Sequence, residues 1–119
     1  MHTTIETLSA DFAAAIERED AALRAVGEAN GTPEFEVREQ ELSAIMDEAS
    51  AAAARLLAEP ARSAVDVLRK AAVLRRYGHG DAFELAGGTM IGGAQCDEAD
   101  ALDIRALHAI VSDMLALAA

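Results

Sequence analysis

From Ile5 onward, apolar side chains return every three or four positions: Ile5, Leu8, Phe12, Ala15, Ile16, Leu23 and Val26 share one stripe of a helix with 3.6 residues per turn. The spacing predicts a helix that begins at Thr3, where Thr3 and Glu6 stand as in a capping box, and runs to about Ala29 before the stop signal Asn30-Gly31. A second start follows at once, with Thr32 as N-cap and Pro33 at the first helical position, where a missing N–H costs nothing. The stripe of that helix, Phe35, Leu42, Ile45, Met46, Ala49, Ala53 and Leu56, continues to about Ala58. So short a connection makes an antiparallel hairpin, in a register that sets Phe12 opposite Ala49 and its small neighbours Ala52 and Ala53.

Glu59-Pro60 breaks the pattern, and Ser63 with Asp66 can cap a third, shorter helix ending near Tyr77-Gly78. Its inward face is read as Ala64, Val67, Leu68, Ala71 and Leu74. Residues 79–95 carry two Gly-Gly pairs that interrupt any regular element, yet Phe83, Leu85, Met90 and Ile91 gain by burial, so a docked loop is expected. Asp97 can cap a fourth helix that reaches the C-terminus through Ile104, Leu107, Ile110, Val111, Met114, Leu115 and Leu117. Its apolar arc is wide enough for a central position or for contact with a second subunit.

The expected fold class is therefore all-α: a four-helix antiparallel bundle built on a long N-terminal hairpin, one domain over residues 1–119. Two helices of about 26 residues each extend about 39 Å, well past a third of about 15, and the seam left over points to a homodimer. Composition supports helix over sheet. Hydrophobic residues make up 52% of the chain but aromatics only 3%, so the core must come from Ala, Leu, Ile, Val and Met.

The formal net charge of -11 disfavours nucleic acid and anionic lipid as partners and leaves a basic protein surface possible. No apolar stretch reaches the length of a membrane span, and Met1-His2-Thr3 does not open a signal peptide, so a cytoplasmic protein is expected. The lone Cys96 reads as a reduced thiol.

Charge is unevenly spread. The third helix is a basic island in which Arg62, Arg69 and Arg76 recur every seven residues, a stripe able to receive a phosphate or an acidic partner or to pair with the acidic helices before it. Glu19 falls inside the apolar stripe of the first helix, where a bare carboxylate is costly. Arg38 is its expected partner and Arg75 the second candidate, giving a buried polar cluster of Glu19, Arg38 and Arg75.

Arg105, His108 and Ser112 align on the fourth helix as a solvated face. No Glu-x-x-His or His-Glu-x-x-His pair suggests a metal, and no Ser or Cys stands in a triad or elbow context, so neither a metal, a cofactor nor a catalytic residue is assigned. The run Gly-Gly-Thr-Met-Ile-Gly-Gly lacks the strand and Lys of a phosphate loop.

Residues 35–77 and 102–119, through Glu59-Pro60, Ser63, VLRKAAVLRRY and ALHAIVSDMLALAA, resemble a loose group of short Ala- and Glu-rich bacterial proteins of unknown function. That resemblance implies a bacterial source and brings no activity or binding residue with it. The reading reached is an interaction or structural module without catalysis. A small-ligand-binding bundle and an acidic inhibitor of a nucleic-acid-binding enzyme are the alternatives.

Overall fold

The computed structural model describes residues 4–78 and 102–119. Every regular element among them is helical: α1 (Ile5–Ala29), α2 (Phe35–Ala58), α3 (Ala64–Tyr77) and α4 (Leu102–Ala118). Thr3, the 79–95 segment with its four apolar side chains, Cys96 and Asp97 lie outside the described residues.

The first helix begins one residue later than Thr3 would place it. Thr4 is the N-cap, and its hydroxyl oxygen accepts from the Thr7 backbone N–H at 3.2 Å. The stop at Asn30-Gly31 is as expected, and Gly31 takes a φ of 80°, a left-handed conformation that costs glycine no steric clash. Thr32 braces the turn rather than capping α2 directly: its hydroxyl donates to the Ala29 carbonyl at 2.6 Å and accepts from the Glu34 N–H at 3.3 Å, and α2 opens only at Phe35. At α3 the expected cap forms. Ser63 Oγ accepts from the Asp66 N–H, and an Asp66 carboxylate oxygen accepts from the Arg62 N–H. A Cβ at Gly78 would collide with the Leu74 carbonyl oxygen, which explains a glycine where α3 ends.

α1 packs chiefly on α2, and α3 chiefly on α4, while α3 also reaches α1 and α4 reaches α2. α3 runs alongside α1 in the same direction, since its start shares a cleft with Thr4, Ile5 and Glu6 and its end reaches Glu19. One cluster forms the core: Ile5, Leu8, Phe12 and Ala15 from α1, Ala49, Ala52, Ala53, Leu56 and Leu57 from α2, Val73 from α3 and Ala106 from α4. Phe12 and the small residues Ala49, Ala52 and Ala53 all belong to it, and with Arg18 beside Glu48 the level of Phe12 on α2 falls nearer Ala53 than the expected Ala49. The Phe12 and Tyr77 rings meet at 6.3 Å between centroids, tilted by 44°, a favourable aromatic geometry that joins α1 to α3.

Burial along α1 and α2 falls off toward the turn, where Ala29 is buried but Val26, Leu42 and Ile45 are only half-buried. Leu23 and Met46, in the same stretch, are 47% and 46% exposed, because α3 has 14 residues against 25 in α1 and ends level with Glu19. The inward face of α3 also differs from the expected one. Val67, Lys70 and Val73 are buried, with Leu74 and Tyr77 packed beside the core, while Ala64 is exposed and Leu68 is 68% exposed. The helix is turned by roughly 100°, one residue, relative to its greasiest arc. That turn trades the burial of Leu68 for the Phe12–Tyr77 contact and three ion pairs to other helices.

Phe12→Ala should cost about 3–5 kcal/mol of unfolding free energy in urea, whereas Leu23→Ala on the same stripe should cost about 1 kcal/mol or less. Equal costs would contradict the fall in burial toward the turn.

Candidate functional site

Apart from the exposed Arg18–Glu48 pair between α1 and α2, the ion pairs that join helices among the described residues converge on α3. Near its start, the Asp66 carboxylate holds Arg69 at 3.3 Å in addition to accepting from the Arg62 backbone N–H. In its middle, Lys70 points straight into the interior. Its side chain is 1% exposed, and its ammonium donates to the Leu57 carbonyl at 3.2 Å and to the Asp113 carboxylate at 2.7 Å, so one cation ties α2, α3 and α4 together. At its end, Arg76 donates to Glu19 at 2.9 Å and to Asp20 at 2.8 Å, which joins α3 to α1. Those carboxylates hold the Arg76 guanidinium above its ordinary pKa, Glu19 foremost, against the opposing effect of burial.

The next residue, Tyr77, brings its hydroxyl into the same region. Its phenol oxygen is buried without a hydrogen-bond partner among the described residues. Burial and the Glu19 charge raise the Tyr77 pKa, and Ser50 and Arg76 offset this only in part. Apart from the Tyr77 hydroxyl, the members of this polar seam are spent on one another. The carboxylates face guanidinium or ammonium, and Lys70 has a carbonyl and a carboxylate.

The expected cluster of Glu19, Arg38 and Arg75 is not assembled. Arg38 is bound within its own helix, to Glu41 at 2.9 Å and Glu34 at 3.7 Å, and Arg75 is exposed. Glu19 does need a buried partner, but a helix later in the chain supplies it through Arg76, because α3 covers α1 at that level. The Arg62, Arg69 and Arg76 stripe exists as a spacing but not as a free surface. Arg69 and Arg76 are engaged as described, and Arg62 lines a cleft of about 310 Å³ beside Glu6, Glu59 and Asp66, whose carboxylates oppose an anion. Arg105 and His108 are half-buried on α4 and Ser112 is exposed.

Lys70, the most deeply buried charge among the described residues, and its partner Asp113 are not among the residues expected from the sequence. A readable signal was present: Lys70 sits three residues from both Val67 and Val73, and Asp113 shares a helical face with Ala106 and Ala109. Among the described residues no group of three or more His, Cys, Asp or Glu side chains is arranged to hold a metal ion, and no helix is long and apolar enough to cross a membrane. No protein-family model, curated protein or solved structure matches the chain.

Removing one partner of a buried pair strands the other. Asp113→Ala should cost about 3–5 kcal/mol, whereas Lys70→Met combined with Asp113→Leu should be neutral or stabilising, as urea unfolding would report. Tyr77 supplies a second check. Its pKa is raised in the folded state, so the stability it contributes is whole below the unfolded value of about 10 and is lost as pH rises through the folded value. It is the only tyrosine, and no Trp is present, so absorbance near 295 nm titrates it alone. Tyr77→Phe should flatten the alkaline fall without loss of stability at neutral pH.

Proposed function

We propose that the chain is a protein–protein interaction or structural module without catalysis, its helices gathered into an antiparallel bundle and its working form a homodimer. The observation that carries the interaction role is the partly uncovered α1–α2 seam near the turn, where Leu23 and Met46 stand about half exposed beyond the end of α3; the homodimer is assigned below to a separate face of the hairpin. A helical stripe buried at one end and partly open at the other offers a partner helix an apolar landing strip. Met114, Leu115 and Leu117, exposed along the end of α4, extend the apolar surface available to partners.

The charged groups support a scaffold rather than chemistry. General acid–base or nucleophilic catalysis needs a group left available to substrate, and Glu19, Asp20, Lys70, Arg76 and Asp113 are each committed to a partner. The closed Glu19–Arg76 pair also argues against a ligand gripped in the core.

Two measurements test the reading. Light scattering at micromolar concentration should return twice the 12.4 kDa chain mass. A photo-crosslinking residue at position 23, used in the native host, should trap a second polypeptide, and Met46→Glu should abolish the adduct. Crosslinks confined to the chain itself would defeat the proposal.

A further inference from the structure

A second surface of the hairpin has a different character from the open seam. A groove of about 340 Å³ runs between α1 and α2 with no residue of α3 or α4 in its lining. Its floor is Ala14, Ala15, Ala51 and Ala52, and its corners are Asp11 and Arg18 on α1 and Glu48 and Arg55 on α2. Arg18 and Glu48 lie side by side at 3.7 Å. Because the helices are antiparallel, seven residues back along α1 and seven on along α2 bring Asp11 level with Arg55. Each corner is therefore opposite in sign to the corner across the groove and to the corner along its own helix. Ala21 and Ala44, both exposed, continue the small-residue surface seven positions toward the turn.

Such a rectangle is its own complement. A two-fold axis in the plane of the groove, parallel to the helices, sets α1 of one copy on α2 of the other. Asp11 then meets Arg55 of the partner subunit, and Arg18 meets the partner's Glu48. All four cross-contacts are attractive, and antiparallel helix dipoles are matched as well. The alanine floor lets the backbones approach closely, near the lower end of the 8–10 Å usual between helix axes. The present Arg18–Glu48 pair is solvent-exposed, with side chains 54% and 62% accessible, so exchanging it for an intersubunit pair gives up little. An acidic partner would be repelled by two of the four corners and a basic one by the other two. In a chain of net charge -11, this patch is electrically balanced and suits its own copy.

We propose that two copies of this chain meet back to back through the groove floored by Ala14, Ala15, Ala51 and Ala52. This rests on the homodimer reading above and assigns the dimer contact to the face away from α3 and α4. The apolar seam around Leu23 and Met46 then stays open in both copies, and the dimer presents two landing strips facing opposite ways.

The test is a charge-swap series on the full chain, followed by sedimentation equilibrium. Arg18→Glu and Glu48→Arg should each weaken dimerisation about tenfold or more, because each sets like charges against one another at both symmetry-related contacts. Mixed in equal amounts, the two variants should dimerise again, since each introduced carboxylate now faces an introduced guanidinium. Arg24→Glu, the same charge change outside the groove, should leave association unchanged, and circular dichroism should show equal helicity throughout. A monomeric wild type at about 100 µM overturns both this inference and the homodimer. A dimeric wild type whose variants dimerise equally well overturns the face alone. A dimer lost in both variants and not restored by mixing rejects the two-fold arrangement.

Discussion

Close approach of α1 and α2 is the constraint on which everything else in this molecule rests. With few aromatics and no Trp, the chain has little bulk with which to fill space between helices, so it brings the helices together instead. Ala15 faces that contact from α1, and Ala49, Ala52 and Ala53 from α2, all essentially without exposure, while Phe12 and Leu56 supply the volume. Interiors tolerate few voids, and a lattice of alanines with a single large ring fills only when the register is correct. The turn at Gly31, braced by Thr32 against Ala29, sets that register from one end.

On this platform α3 docks by charge as much as by grease. A helix oriented only by its apolar arc would bury Leu68. The observed one buries Lys70 and leaves Leu68 in water, because the interior offers Lys70 a carbonyl and a carboxylate, and Arg76 two carboxylates. Buried ion pairs of this kind add little net stability over apolar substitutes, but they penalise every orientation that leaves one member alone. Here they choose the rotation of α3 and the position of α4 beside it.

The division between what was legible in the amino-acid pattern and what was not follows from the range of the interactions. Helices, their order and most of their ends depend on neighbours three or four residues apart, so Asn30-Gly31, Pro60, and Ser63 with Asp66 could be read directly. The stripe of α1 was likewise legible, up to the point where a shorter helix stops covering it. The face of α3 was not, because the groups that orient it lie 13 residues away at Leu57 and 43 away at Asp113. The need of Glu19 for a partner was visible in its place among apolar residues. The partner's identity was not, since the two-helix register offered Arg38 and only the docked third helix brings Arg76 57 residues back.

The way α4 is held has a consequence for how the molecule comes apart. Only Ala106 is fully buried on that helix, and the one ion pair it makes among the described residues is Asp113 with Lys70, whereas α1 and α2 share the bulk of the core. Local opening follows the weakest buried contacts. Deuterium should therefore enter the amides of α4 through a partial unfolding that leaves the hairpin intact, and Lys70 will be the side chain that such an opening exposes to water first.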